Sequence, residues 1–137
     1  MRILLLYTKK FRYRVGRKSF GNNESIIGKQ WEAKDVPVAF IHVEEKDVKE
    51  AKKVVERAVR ILSWYARKTE SRRIVLHSFA HLSSSKASPE EAEAIISRIA
   101  EKLSHKNFDV HVTPFGYFLK LEIAIGDEPI SRVFQEF

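Results

Sequence analysis

The chain has 137 residues, 44% of them hydrophobic and 31% charged, which is typical of one globular domain. It has no cysteine, so disulfide bonds and thiolate chemistry are excluded. The apolar run at residues 3–6 is too short for a signal peptide or a membrane span. We therefore expect a single domain over residues 1–137, in the cytoplasm and without a membrane partner.

Basic residues outnumber acidic ones, and the formal net charge is +7. A basic balance favours a polyanionic partner such as RNA, DNA or an anionic membrane surface. Part of the charge is clustered in residues 9–18, where Arg12 and Arg14 alternate with Phe11 and Tyr13. A strand there would carry the aromatic rings on one face and the cations on the other. The alternative is a solvated basic surface without a partner.

The first half of the chain alternates between strand and helix patterns. Residues 2–8 predict a strand that pairs as a hairpin with a second strand over 11–15. Residues 16–34 are rich in glycine and predict a loop. The apolar run 36–43 predicts the next strand, and the spacing of apolar residues over 46–68 predicts a long amphipathic helix.

The second half continues this alternation. A strand is predicted at 73–77, and a second helix begins after Ser88, which forms a capping box with Glu91. Asn107 is the candidate C-terminal cap of that helix. Strands follow at 108–113 and 118–125, and then a tail or terminal helix from residue 130. The order predicts an α/β domain with a mixed β-sheet and two main helices.

Two short segments interrupt regular structure with aromatic, small and polar residues. One is 78–85, which follows a strand, and the other is 113–118, which joins two strands. In the second segment Gly116 would let a flat ligand approach the backbone, and an aromatic ring can stack on a base. We interpret the two segments as the walls of one pocket. The alternative is a plain bend whose aromatic rings lie in the core.

The sequence favours neither a metal site nor a catalytic triad. His77 and His81 have a spacing that occurs in zinc sites, but they lie at a strand end and in a loop, and no cysteine completes the set. We therefore expect no metal and no cofactor. The serines at 83–85 lie near His81, yet no spacing indicates the carboxylate and oxyanion hole of a triad. A hydrogen-bonding role for His81 is favoured.

Residues 79–84, followed later by residues 114–117, resemble the N-terminal editing domain of archaeal threonyl-tRNA synthetases. Residues 1–7 and 38–44 also match that family's pattern, so the resemblance spans essentially the whole chain. It implies a D-aminoacyl-tRNA deacylase-like fold and a homodimer. It also implies two partners, the aminoacylated 3′ end of tRNA(Thr) and the catalytic domain of the synthetase in cis or in trans.

The resemblance further implies a proofreading hydrolase that removes L-serine wrongly attached to threonine tRNA. Such a second site is needed because a difference of one methyl group supports only ~1–3 kcal/mol of discrimination. The family's chemistry relies on the ribose 2′-hydroxyl of the substrate to position or activate the attacking water. That reliance would explain why no complete protein triad is visible.

Roles carried over from the resemblance fall on both segments and on one strand end. His81 is the candidate catalytic side chain. The substrate-binding residues implied for the two walls and for the amino-acid side of the pocket are Phe79, Ala80, His81, Phe115, Gly116, Tyr117, Phe118, Val43 and Glu44.

Three departures from the family pattern matter for the expected activity, and the first is Phe118, which stands where the family usually has tyrosine. Leu119 stands where the family usually has lysine, and Arg132 corresponds to a usual glutamate. A one-residue slip or a bulge near Gly116 would turn Lys120 into the cleft as a substitute catalytic residue. The alternatives to a serine-specific hydrolase are a catalytically weakened module that binds the tRNA acceptor end and a D-aminoacyl-tRNA deacylase.

Overall fold

A computed structural model describes residues 1–21 and 25–137 of the chain. None of the helices in these two ranges is long and apolar enough to cross a membrane. The elements in chain order are β1 (Arg2–Lys18), β2 (Gln30–His42), α1 (Glu45–Lys49), α2 (Ala51–Lys68), β3 (Arg73–Ser78), α3 (Pro89–His105), β4 (Asp109–Val112), β5 (Tyr117–Ile125), a 3-10 turn (Pro129–Ser131) and β6 (Arg132–Glu136).

The strands form one mixed sheet in the order β4-β3-β2-β1-β5, and β6 also pairs with β1. Strands β2, β3 and β4 are parallel, while β1 is antiparallel to β2, β5 and β6. Parallel neighbours need crossover connections, which α2 and α3 supply. The predicted α/β class with a mixed sheet and two main helices is therefore confirmed. The carboxyl ends of β2, β3 and β4 meet at one edge of the sheet.

Alternation along the strands separates two apolar clusters. In β3, Ile74 and Leu76 pack with α2 and α3, whereas Val75 belongs to the cluster on the other side of the sheet. The helix-side cluster includes Leu62 of α2 and Ile99 of α3, both fully buried. Burying one such side chain contributes about 1.5–3 kcal/mol, so the cluster fixes the helices on the sheet.

The second cluster is enclosed because the sheet curls over itself. Residues 10–18, 30–36 and 117–125 form a three-stranded arm, which we call the arm. Trp31 of the arm stacks face to face on His111 of β4, with ring centroids 3.7 Å apart. The Tyr13 hydroxyl is hydrogen-bonded to His111 Nε2 at 2.8 Å. The arm therefore bends across the sheet face that the helices leave uncovered.

Several predicted boundaries in the first half are wrong. The predicted strands at 2–8 and 11–15 are both parts of β1, because β2 runs beside both and keeps one register along them. The predicted loop over 16–34 is strand at both ends. Residues 22–24 of that loop lie outside the described residues.

The helix predictions need smaller changes. Residue Glu50 has φ −122° and ψ 35°, which divides the predicted helix at 46–68 into α1 and α2. The capping box of Ser88 and Glu91 is confirmed, with both reciprocal hydrogen bonds present. Asn107 has φ 68° and lies one residue beyond the C-cap of α3.

The prediction of a tail or terminal helix from residue 130 is wrong for most of that segment. After a single 3-10 turn, β6 pairs with the first residues of β1, where Leu4 lies opposite Phe134. Strand β5 pairs only from Thr8 onward, so the start of β1 would otherwise have unpaired backbone groups. β6 therefore completes the edge that β5 leaves open.

A buried polar contact links the ends of β3 and β4. His77 Nδ1 lies 2.9 Å from Thr113 Oγ1, and both residues are buried. The rings of Phe40 and Phe79 lie 4.9 and 6.1 Å from the imidazole, centroid to centroid. Burial lowers the pKa of His77 from 6.5 to about 4, so the ring is uncharged at neutral pH.

The stability of the domain should depend on pH through His77. Between pH 6.5 and about 4 the unfolded chain binds a proton that the folded chain does not bind. The free energy of unfolding should therefore decrease as the pH falls through this window, by up to about 3 kcal/mol from this residue. Urea denaturation at a series of pH values measures the slope.

The variant His77→Gln removes the titrating group and should flatten this pH dependence. The matched control is His105→Gln, which changes an exposed histidine in the last turn of α3 and should keep the parent slope. If His77→Gln also kept the parent slope, the assigned pKa change would be contradicted.

Candidate functional site

A cavity of about 410 Å³ opens where β2 and β3 end. Its volume lies within the range of about 300–1,000 Å³ for small-molecule sites. Its floor includes Ile41, Val43 and His77, and its walls come from both segments that the sequence singled out. Ligands of α/β proteins commonly bind at the carboxyl ends of the strands. The parallel strands thus bring the two segments together.

The first wall is a loop over residues 79–88 that is attached to the end of β2. The Phe79 N–H donates to the Ile41 carbonyl at 2.9 Å, and the Ala87 N–H donates to the Val43 carbonyl at 3.0 Å. The two ends of the loop are therefore bonded to main-chain carbonyls only two residues apart, one in β2 and one just after it. Main-chain bonds of this kind fix the position of the loop without using the side chains that face the cavity.

His42 holds the middle of this loop. Its Nδ1 accepts the Leu82 N–H at 2.9 Å, and its Nε2 lies 2.7 Å from the Ser85 carbonyl. Since Nδ1 accepts, the proton must be on Nε2, which donates to the carbonyl. The ring is fully buried, so both nitrogens find partners only in the loop. His42 is thus a neutral clamp between β2 and the first wall.

Glu44 also supports the loop and does not line the cavity. Its carboxylate accepts a hydrogen bond from Ser83 Oγ at 2.8 Å and pairs with the Met1 ammonium at 3.1 Å. Burial alone would raise the pKa of Glu44, but Ser83, the Met1 ammonium and Lys46 hold it below its ordinary value. The carboxylate is therefore charged and occupied by the protein itself.

An aromatic series connects the core to the rim of the first wall. Phe79 packs edge to face on Phe40, with centroids 5.2 Å apart, and His81 packs edge to face on Phe79 at 5.0 Å. His81 is exposed and lines the cavity. This packing sets the orientation of His81 and leaves its ring nitrogens accessible to a ligand.

The second wall requires glycine at position 116 because neighbouring backbone leaves no room for a side chain there. Gly116 has φ +84°, and a Cβ at this position would lie 2.8 Å from the Phe20 carbonyl oxygen. Its own carbonyl accepts the Ser19 N–H at 2.7 Å. The segment just after β1 thus fills the space beside Gly116, and glycine is required there by the chain's own packing. The approach of a flat ligand to this backbone stays a prediction.

The cavity brings together most of the residues singled out in the sequence. Those that line it are Val43, Phe79, Ala80, His81, Phe115, Gly116, Tyr117 and Phe118. Leu119, which replaces the family's lysine, also lines the cavity, so the replacement makes this wall more apolar. Arg132 does not line it and donates instead to the Gly126 carbonyl at 3.0 Å.

The placement of Lys120 in the cleft is wrong. β5 alternates regularly from Tyr117 onward, with Leu119 and Leu121 facing inward and Lys120 exposed on the opposite face. The register between β1 and β5 does shift between Val15 and Lys18. That shift lies before Lys120 along β5, so it does not change the face on which the Lys120 side chain lies. Lys120 is exposed and is not among the described residues that line the cavity.

Sequence reasoning missed several residues of the site. Lys86 lines the cavity as the only lysine or arginine among the described lining residues. Phe20 lines it beside Gly116, and His42 fixes the loop from below. The sequence signal for Lys86 was its position just before the helix cap at Ser88. No local pattern pointed to Phe20 or His42, because their roles depend on contacts distant in sequence.

The lining is mostly apolar, and Lys86 is its one charged side chain among the described residues. No carboxylate occurs among the lining residues in the described part of the chain. Nor do the described residues contain a group of three or more histidine, cysteine or acidic side chains arranged to hold a metal ion. Polar contacts to a ligand are available from His81, Ser78, Lys86 and the backbone of the two walls. A mostly apolar cavity with a few polar groups is typical of small-molecule sites.

Comparison with known structures supports the fold. The c-Myc DNA unwinding element binding protein superposes with a TM-score of 0.72 at 13% sequence identity, covering 100% of this chain and 99% of that one. At this identity the likeness shows the fold alone. The fold implied by the sequence resemblance is therefore confirmed.

Sequence comparison identifies the family. The threonine–tRNA ligase of Pyrococcus furiosus is 33% identical over 135 residues, which is 97% of this chain and 22% of the ligase. That of Hyperthermus butylicus is 32% identical, covering 100% of this chain and 23% of the ligase. The chain thus spans less than a quarter of these relatives. The family model described as the archaea-specific editing domain of threonyl-tRNA synthetase matches residues 1–137. The chain belongs to this family of editing domains.

Proposed function

We propose that this domain hydrolyses the ester that links L-serine to the terminal adenosine of tRNA(Thr). Membership of an editing-domain family implies proofreading. The proposal of ester hydrolysis rests on the cavity itself. Two walls held by main-chain hydrogen bonds enclose it, and no carboxylate lines it among the described residues. A site of this kind accepts a substrate by shape and leaves the reactive groups to the substrate.

The reaction adds water to the ester carbonyl carbon. The bond between that carbon and the ribose oxygen then breaks, the ribose oxygen takes up a proton, and serine leaves as the free amino acid. The vicinal ribose hydroxyl positions the water, and His81 and backbone N–H groups hold the reacting atoms in place. Orientation of this kind supplies a large part of catalysis even without a protein nucleophile.

The adenine ring and the seryl group of the substrate occupy different parts of the cavity in this proposal. The adenine ring fits the second wall, where Phe115 and Tyr117 offer faces for stacking. The seryl group points to the floor near Val43, which is 3% exposed and packed in the helix-side cluster. Lys86 extends from the first wall toward the same cavity. Its ammonium is suited to hydrogen-bond an oxygen of the ribose or the ester.

Selectivity follows from the packing of the floor. Threonine carries one more methyl group than serine, and forcing a methyl group into a packed apolar site costs about 1–3 kcal/mol. A second site that admits only the smaller product therefore complements a synthetic site that cannot exclude it. Backbone and apolar contacts are sufficient for this purpose.

The partners of the domain are proposed from its ligase relatives. Since the chain covers less than a quarter of its ligase relatives, we propose that it acts beside a synthetase catalytic domain, in cis or in trans. A homodimer and a cytoplasmic location belong to the same proposal.

A second candidate function is favoured by Leu119. The resemblance places a lysine at this position, and the structure shows leucine lining the cavity there. A domain that lacks a needed ammonium would bind the tRNA acceptor end and turn it over slowly. Lys86 is the described lining residue that can compensate.

Deacylation assays distinguish these functions directly. The isolated chain is incubated with tRNA(Thr) carrying L-serine, L-threonine or a D-amino acid, and release of the amino acid is measured. We expect L-serine to be released at least about tenfold faster than L-threonine. Binding without release would support the acceptor-end module, and selective release of the D-amino acid would support a D-aminoacyl-tRNA deacylase.

Enlarging the floor should relax this selectivity. Val43→Ala removes two methyl groups beside the proposed seryl position, so the rate for L-threonine relative to L-serine should rise by about five- to tenfold. Val110→Ala is the matched control, because Val110 lies on β4 and does not line the cavity. An unchanged ratio in Val43→Ala, at unchanged folding, would place the seryl group elsewhere.

A further inference from the structure

The outer face of the arm carries two cations directly opposite each other. In the register of β1 and β5, Arg14 pairs with Lys120, and in the register of β1 and β2 it pairs with Gln30. Both cations are exposed. Like charges at directly opposite positions destabilise a sheet. The pair therefore opposes folding, and its benefit must be sought outside the fold.

Neighbouring acids form no ion pair with either cation within the described ranges, although Arg12, Lys10 and also Lys120 lie near enough to Glu122 to lower its pKa. Glu122 accepts a hydrogen bond from Arg12 at 3.0 Å, and Glu32 lies 3.4 Å from the Lys10 ammonium. Within the described ranges, no carboxylate lies at ion-pair distance from Arg14 or Lys120. On the outer face of the arm, the charges of Arg12 and Lys10 are therefore balanced by acidic partners. The end of the arm that carries Arg14 and Lys120 is positively charged.

An exposed aromatic ring lies between these cations and the cavity. Phe118 is 65% exposed, yet it also lines the cavity, so it marks the mouth. It lies on the same face of β5 as Lys120, two residues away, which is about 7 Å along a strand. Proteins that bind single-stranded nucleic acid combine exposed aromatic rings, on which bases stack, with cations that contact the phosphate backbone. Phe118 and the two cations form such a combination.

We propose that Phe118, Arg14 and Lys120, which we call the mouth patch, bind the single-stranded nucleotides that precede the terminal adenosine. Phe118 stacks on a base, and Arg14 and Lys120 pair with backbone phosphates. The proposal rests on the proposed function, since the cavity must hold the terminal adenosine for these nucleotides to reach the patch. It also gives Lys120 a role in binding in place of the catalytic role suggested by the sequence.

Binding to unacylated RNA tests the patch without requiring hydrolysis. The probe is a fluorescent RNA hairpin whose single-stranded 3′ end finishes in CCA, and a blunt hairpin of the same stem serves as reference. For the double variant Arg14→Ala/Lys120→Ala we expect affinity for the CCA probe to fall about fivefold or more. The slope of log Kd against log salt concentration should decrease by about 1.4, as expected for two lost contacts with a single strand.

The control double variant is Lys49→Ala/Lys52→Ala, which removes the same charge from exposed positions on α1 and α2. It should change the affinity by less than about twofold and leave the salt slope unchanged. Equal losses in the two double variants, or an equal loss for the blunt hairpin, would show general electrostatic attraction and overturn the proposal.

Two substitutions of Phe118 test the stacking role of its ring separately. Phe118→Ala should weaken binding of the CCA probe about fivefold or more, because stacking of one base is lost. Phe118→Trp keeps an aromatic face and should retain binding. Equal affinities for the alanine and tryptophan variants would overturn the stacking role.

Hydrolysis of 3′-O-seryl-adenosine separates this proposal from the proposed function. That substrate has no phosphate and no preceding base, so only the cavity acts on it. If the parent domain fails to hydrolyse it while the RNA-binding pattern holds, the hydrolytic function is wrong and the mouth patch stands. If hydrolysis occurs while the mouth-patch variants bind RNA like the parent, the mouth patch is wrong and the function stands.

Discussion

The site depends on residues 41–44, which are the last two residues of β2 and the two that follow it. Ile41 and Val43 accept main-chain hydrogen bonds from the two ends of the first wall, His42 binds its middle through both ring nitrogens, and Glu44 accepts from Ser83. Each of these residues is buried. Movement of the loop would therefore leave several polar groups unpaired, at about 1–3 kcal/mol for each group. One strand end thus fixes a whole wall of the cavity.

This arrangement determines what chemistry the cavity can offer. The charged carboxylate nearest the first wall is committed to Ser83 and Met1, and the buried imidazole on the floor is uncharged at neutral pH. What faces a ligand is backbone, aromatic surface, His81 and Lys86. Preorganised dipoles of this kind orient a substrate without reorganising during the reaction. In the proposed reaction the substrate therefore supplies the reactive group, and the protein selects the substrate by shape.

Local sequence patterns predicted the features that depend on neighbouring residues. The capping box at Ser88 and the inward alternation of Leu119 and Leu121 needed only local geometry. The continuity of β1 through Lys9 and Lys10 was not predictable, because pairing with β2 overrides weak local propensity there. Likewise the clamp by His42 and the contact of Phe20 with Gly116 join residues far apart in sequence. The two segments could be singled out in advance because they interrupt regular structure, and the family resemblance then supplied the individual residues. The residues that support the walls could not be named in either way.

The central claim, that the substrate supplies the reactive hydroxyl, is tested most directly by changing the substrate. Seryl-tRNA(Thr) ending in 3′-linked 2′-deoxyadenosine has the ester and every base but lacks the vicinal hydroxyl. The account predicts that the parent domain binds this tRNA with unchanged affinity and hydrolyses it about a hundredfold more slowly or worse, a loss in the range of general acid–base assistance. Hydrolysis of the deoxy ester at the rate of the natural ester would contradict the account and require a catalytic group in the protein.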